Sequence, residues 1–410
     1  MHYSLARATT WNLVGYLYLI IASLVATPII LHGLGLEQFS LYSLIFASII
    51  LVSSLDLGLP QAVVRALSHE TTNTTKRSTL WATSNLLFII SGLIAGTVAV
   101  LLTLAFTSDP KILIPVFTLC LLNNIIGHYL TLPHSEGRFG WYNTKTFVIG
   151  TANTFVTAYL SYAGFGISAI FLAQLACYLI TLATLTIFSL HYFPHPWEGR
   201  PSKEVAKSLI KFGLKNQVGK LVGQVQGQYG KYLLAAHNPL SLSAYIVSIG
   251  LVQKLTGGIV QVASALYPAS ARNASGGALA AVYHRLQLGL AAVSVLGIAL
   301  YQVIALPFLT WWLNSPELVP IVHSVMGVLV WYLAILVLTP LCSAILDGRG
   351  RPEISSLFAA LTAAIEIVIA LTLFQRYGIF APVYGALAAC VITTPLLLLV
   401  TEKVIRSKNL

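Results

Sequence analysis

The chain has 410 residues, of which 57% are hydrophobic and only 9% charged, and its mean hydropathy is +0.82. This balance excludes a soluble enzyme or a disordered chain and describes an all-α, polytopic membrane protein. The formal net charge of +11 fits a surface held against anionic lipid and calls for no nucleic acid.

A helix needs about 20 apolar residues to cross the hydrocarbon. Such runs centre near residues 21, 53, 93, 121, 154, 178, 222, 255, 295, 332, 365 and 391. The sequence therefore predicts twelve spans with short connecting loops. The first run, in MHYSLARATTWNLVGYLYLI, is too long for a signal-peptide core and reads as span one. With the N-terminus inside, the outside loops retain only Lys111 and Arg376, and the other loop lysines and arginines, Arg65 and Lys145 among them, fall inside. The positive-inside rule then places both termini in the cytoplasm. Cys120, Cys177, Cys342 and Cys390 sit in separate apolar runs, and His191 and His195 in HYFPHPWEGRP lack further ligands. No disulfide or metal site is predicted. Asn73 and Asn273 match the glycosylation pattern but lie on inside loops, so they read as chance matches.

The spans divide into two groups of six. SEGRFG (135–140) echoes LDGRGR (346–351), and GISAIFLAQLAC (166–177) echoes GIFAPVYGALAAC (378–390), in the same chain order. We expect an N-terminal lobe over 1–192, a cytoplasmic connector over 193–208 and a C-terminal lobe over 209–410, related by a pseudo-two-fold axis along the membrane normal with a cleft between them. At the start of the second group, Lys203, Lys207, Lys211 and Lys215 recur every four residues. They form a basic ridge suited to lipid headgroups on the inner surface.

The seventh run is the least apolar. In QVGKLVGQVQGQYGKYLL (217–234), Gln217, Lys220, Gln224, Gln228 and Lys231 fall within an arc of about 80° on a helix, and Gln226 points the other way. A charge inside a bilayer is costly and persists where it faces water or a partner, so the stripe predicts the wall of an aqueous cavity. Lys231, near the outer end, could equally snorkel. Lys254, with Gln261 on its face, extends the pattern to the eighth run, and Asn12 and Tyr16 to the first. Asp56 and Glu366, each in mid-span, are either counter-ions to these lysines or binding groups for a coupling proton or sodium ion. Asn85, Asn123 and Asn124 read as interhelical hydrogen-bonding groups. Three lysines against two carboxylates favour an anion, and amides beside them suit sugar hydroxyls. The ligand so described is a phosphorylated glycan.

The stretch LGLEQFSLYSLIFASIILVSSLDLGLPQAVVRAL (34–67) resembles the amino-terminal signature of the Wzx-type polysaccharide flippases, of the superfamily that also holds multidrug and toxin extruders and the lipid II flippase. Leu34-Gly35, Phe39, Tyr42, Asp56-Leu57-Gly58 and Arg65 match, and Ser40 stands where the pattern has Gly. The resemblance implies a monomeric transporter of the bacterial inner membrane, with no cofactor beyond a coupling ion. It would pass an undecaprenyl-pyrophosphate-linked oligosaccharide from the cytoplasmic to the periplasmic leaflet by alternating access, beside other polysaccharide assembly proteins. Two readings compete with it. A cation or drug antiporter of the same fold would want an acidic cavity, and a membrane-embedded polymerase or glycosyltransferase would want a catalytic loop longer than any here.

Overall fold

In the computed structural model, residues 5–69, 73–192, 199–264 and 276–406 are described. Among them the chain is helical throughout, without strands. Among the described residues, nine helical segments are long and apolar enough to cross a membrane. Contacts divide the chain into two compact units, Met1–Gln224 and Val225–Leu410.

The first unit begins with α1 (Leu5–Val52), a long helix interrupted at Gly35, whose φ of 72° kinks it into two helical segments. A tight turn leads to α2 (Leu59–His69). Asn73 then caps α3 (Thr74–Thr103), its side chain accepting from Lys76 N–H, and Asp109 caps α4 (Pro110–Ser135) in the same way. The side-chain oxygens satisfy backbone donors that a helix start leaves open. Thus Asn73, half of a glycosylation pattern in the sequence, serves as a cap. α3 and α4 form an extensive pairing in this unit. Gly92 and Gly96 allow it, since a Cβ on Gly96 would come within 2.8 Å of the Phe117 ring, and small residues of this kind let helix backbones approach in lipid.

The fifth predicted span is in pieces: α5 (Phe139–Tyr142), α6 (Thr144–Thr151), a π-helical turn over Ala152–Val156 and α7 (Thr157–Tyr162). The π turn rotates Thr157 into the protein. There Gln174 of α8 (Ile167–Tyr192) donates to both Thr157 Oγ1 and Tyr42 Oη at 3.1 Å, which ties α1, α7 and α8 together. α9 (Lys203–Leu234) follows. Its exposed Lys203, Lys207 and Lys211 stand opposite the buried Leu209, and the side chain of Lys215, the fourth member of the predicted ridge, lies outside the described residues.

The second unit contains the end of α9 with α10 (Pro239–Ser264), α11 (Gly276–Leu313), α12 (Leu318–Leu336), α13 (Thr339–Gly348), α14 (Pro352–Tyr377) and α15 (Phe380–Arg406). α14 packs closely on α15, and Gly385 of α15 lies so near Glu366 of α14 that a Cβ would sit 2.5 Å from its carbonyl oxygen.

The units divide within α9, between Gln224 and Val225, whereas the sequence places a connector at 193–208. Part of that connector is fastened to the first unit: Ser202 N–H donates to Thr83 Oγ1 of α3 at 2.9 Å. The first turns of α9 pack on the first unit through Gly213, and its last turns on the second through Gln226 and Gly230. Neither α9, diluted by lysine and glutamine, nor the α5–α7 segment is among the nine apolar spans.

Candidate functional site: a cation-lined cavity in the first unit

The site starts from the turn between α1 and α2. Leu57 and Gly58 both take positive φ, 54° and 66°, a conformation open to glycine and costly for leucine. The turn is closed from within. Asp56 Oδ1 accepts from Gly58 N–H at 3.0 Å and Asp56 C=O from Leu59 N–H at 3.0 Å. It is also held from outside by α9. A Cβ on Gly58 would lie 2.3 Å from Gly213 O, and one on Gly213 would lie 2.2 Å from Leu57 O. Glycines at both places let the backbones touch.

That contact sets the position of Lys220, which lies seven residues, or about two turns, beyond Gly213. Its Nζ donates to Asp56 Oδ2 at 2.5 Å. Asp56 is 8% exposed, so the ion pair removes the cost of an isolated buried carboxylate. Both residues line a cavity of about 610 Å³ within the first unit, which also receives Arg65, Asn123, His134 and Lys145. Lys145, on α6, donates to Asn123 Oδ1 of α4 at 2.7 Å. The Arg65 guanidinium lies over the Phe212 ring, 4.6 Å from its centroid, a cation–π contact that steers it at the cavity's edge. Three basic side chains thus face one carboxylate, and lysine and arginine donors of this kind suit phosphate oxygens.

Two predicted residues, Lys220 and Asp56, are brought together in this cavity, with Asp56 as counter-ion. Asp56 does not lie in mid-span as the sequence suggested but in the turn between Val52 and Leu59, where Leu57 and Gly58 break the helix. Of the glutamine–lysine stripe, Lys220 is the one that lines it. Gln217 is buried, and neither amide atom has a hydrogen-bond partner among the described residues. Gln224 is half-buried. Lys231 and Gln228 belong to the second unit, both buried, with Lys231 Nζ donating to Gln228 Oε1 at 2.9 Å. Lys254 is half-buried on α10. The side chains of Asn12, Tyr16 and Gln261 lie outside the described residues.

Glu366 is 5% exposed and accepts from Gln226 Nε2 at 2.6 Å. Gln226, expected to point away from the polar stripe, therefore holds the second unit's buried carboxylate. Lys145 is the main residue that sequence reasoning passed over, because NTK reads as a charged inside loop. Asn124 behaves as expected, accepting from Ser91 Oγ of α3 at 3.1 Å.

Comparison with known proteins agrees with this architecture. A family model described as "Polysaccharide biosynthesis protein" matches residues 5–274. A search of curated sequences finds no match. Solved structures match over nearly the whole chain. An inward-facing multidrug resistance MATE transporter of the MOP superfamily aligns with TM-score 0.67 and 15% identity, covering 100% of this chain and 98% of that one. A Vibrio cholerae MATE transporter mutant aligns with TM-score 0.64 and 16% identity over 98% and 96% of the two chains. A MOP superfamily transporter from Pyrococcus furiosus, described as having a binding pocket of reverse polarity that suggests a different function, aligns with TM-score 0.62 and 15% identity over 98% and 96%. The shared feature is the fold, that of two-lobed membrane transporters.

Proposed function

Since the chain belongs to the polysaccharide biosynthesis protein family, we propose that it is a flippase for lipid-linked oligosaccharide. Its cargo is an undecaprenyl-pyrophosphate-linked repeat unit, moved from the cytoplasmic to the periplasmic leaflet of the inner membrane by alternating access coupled to a proton or sodium gradient. The observation that carries this reading is the cavity of the first unit, where Lys220, Lys145 and Arg65 outnumber Asp56. A pyrophosphate cannot cross hydrocarbon unaided because its charges are too costly to desolvate. Ammonium and guanidinium donors with neutral amides beside them replace the lost water. Asn123, already a hydrogen-bond acceptor for Lys145, and Gln61 at the cavity wall offer neutral contacts for sugar.

A cation or drug antiporter shares the fold, but in this cavity the single carboxylate is already neutralised by Lys220. Deletion in the native host tests the proposal. The undecaprenyl-linked repeat unit is expected to accumulate on the cytoplasmic leaflet, with rescue by the intact gene and poor rescue by Lys220→Ala or Lys145→Ala. Normal periplasmic delivery in the deletion strain would reject it.

A further inference from the structure

The two ammonium groups of the cavity stand in different company. Lys145 is bonded to a neutral amide oxygen, Asn123 Oδ1. Lys220 is bonded to a carboxylate, and that carboxylate is fixed: Asp56 Oδ1 is occupied by Gly58 N–H, and the turn that carries it is pressed against Gly213. An anion that reaches Lys145 displaces an amide. An anion that reaches Lys220 meets Asp56, which stays in place and repels it.

We infer that Asp56 is a built-in counter-anion that sets the headgroup selectivity of the cavity, admitting a diphosphate and discriminating against a single carboxylate. The inference deepens the flippase reading and rests on it. A monocarboxylate offered to Lys220 exchanges like for like, gains no Coulomb energy and takes on repulsion from Asp56. A diphosphate carries charge on two phosphoryl groups. It engages Lys145 with one and Lys220 with the other, since both lysines line the same cavity as Asp56. Its larger charge and additional charge-assisted hydrogen bonds outweigh the repulsion. The Gly58–Gly213 contact keeps the competitor effective, since it fixes Asp56 and Lys220 from one point.

The test is binding of three chain-matched probes to the purified full-length protein in detergent: farnesyl diphosphate, farnesyl monophosphate and farnesoate. The wild type should bind them in that order, with at least about a tenfold gap between first and last, a difference of about 1.4 kcal/mol. Asp56→Asn removes the charge while its Oδ1 can still accept from Gly58 N–H. It should tighten farnesoate severalfold and narrow the gap, and Lys145→Gln should weaken the diphosphate most. Equal affinity of the wild type for all three probes would overturn the inference even if Asp56→Asn fails to fold. An unchanged gap in a folded Asp56→Asn protein would do the same and leave the flippase reading standing. Failure of every probe to bind either protein would count against both.

Discussion

Gly58 and Gly213 meet backbone to backbone: a Cβ on Gly213 would stand 2.2 Å from the carbonyl oxygen preceding Gly58. Alanine normally stabilises a helix interior by up to about 1 kcal/mol relative to glycine. At Gly213 the sign should reverse, with Gly213→Ala lowering stability by about 2 kcal/mol through overpacking. Gly223, on the same helix with open space around its Cα, is the control, and Gly223→Ala should be neutral or stabilising. Thermal unfolding in detergent reads both, and a stabilising Gly213→Ala would remove the contact from the account.

The Lys220–Asp56 pair should show coupling in a double-mutant cycle. Lys220→Met leaves a buried carboxylate uncompensated. With the lysine side chain 36% exposed, the cost is discounted for solvent to about 1–2 kcal/mol. Asp56→Asn in the Lys220→Met background should recover part of it. Additive effects of the two substitutions would show that the ion pair contributes nothing.

In the second unit, Glu366→Gln preserves an acceptor for Gln226, whereas Glu366→Ala leaves that amide unpaired and should cost about 1–3 kcal/mol more. If Glu366 carries the coupling ion, Glu366→Gln remains folded yet transports at a rate that no longer responds to an imposed pH or sodium gradient. A gradient response equal to wild type assigns Glu366 a purely structural role.

Orientation is open to labelling. Cys120, Cys342 and Cys390 are buried and Cys177 is half-buried, so background reaction with an impermeant thiol reagent should be low. Lys207→Cys should react from the cytoplasmic side alone and Lys111→Cys from the opposite side alone. The reverse pattern would invert the proposed topology.

The parts of this site that are legible in the sequence are those where charge conflicts with an apolar environment. Lys220 and Asp56 stand out because an ionised group in a span demands a partner or water, and the structure gives them each other beside a cavity. Lys145 does not stand out, because its neighbours look like an ordinary charged loop. Its bond to Asn123 joins α6 to α4 across 22 residues of chain, a tertiary contact that local spacing does not reveal. On α9 the helical wheel sets Gln226 opposite Gln228 and Lys231, and the structure keeps them apart, with Gln226 on Glu366 and Lys231 on Gln228. What the wheel does not carry is that the opposite face meets a buried carboxylate of α14, a tertiary contact with no local signal in the sequence. The division of contacts falls inside α9, where no composition shift marks it, since the helix is continuous.

The most direct test of the cation-lined cavity as a cargo site is reconstitution. Purified protein in vesicles containing a fluorescent lipid-linked oligosaccharide should accelerate its transfer between leaflets, and Lys145→Ala and Lys220→Ala should each slow that transfer by about tenfold or more, the loss of one charge-assisted contact. Transfer no faster than in protein-free vesicles, or full wild-type rates in both variants, would contradict the account.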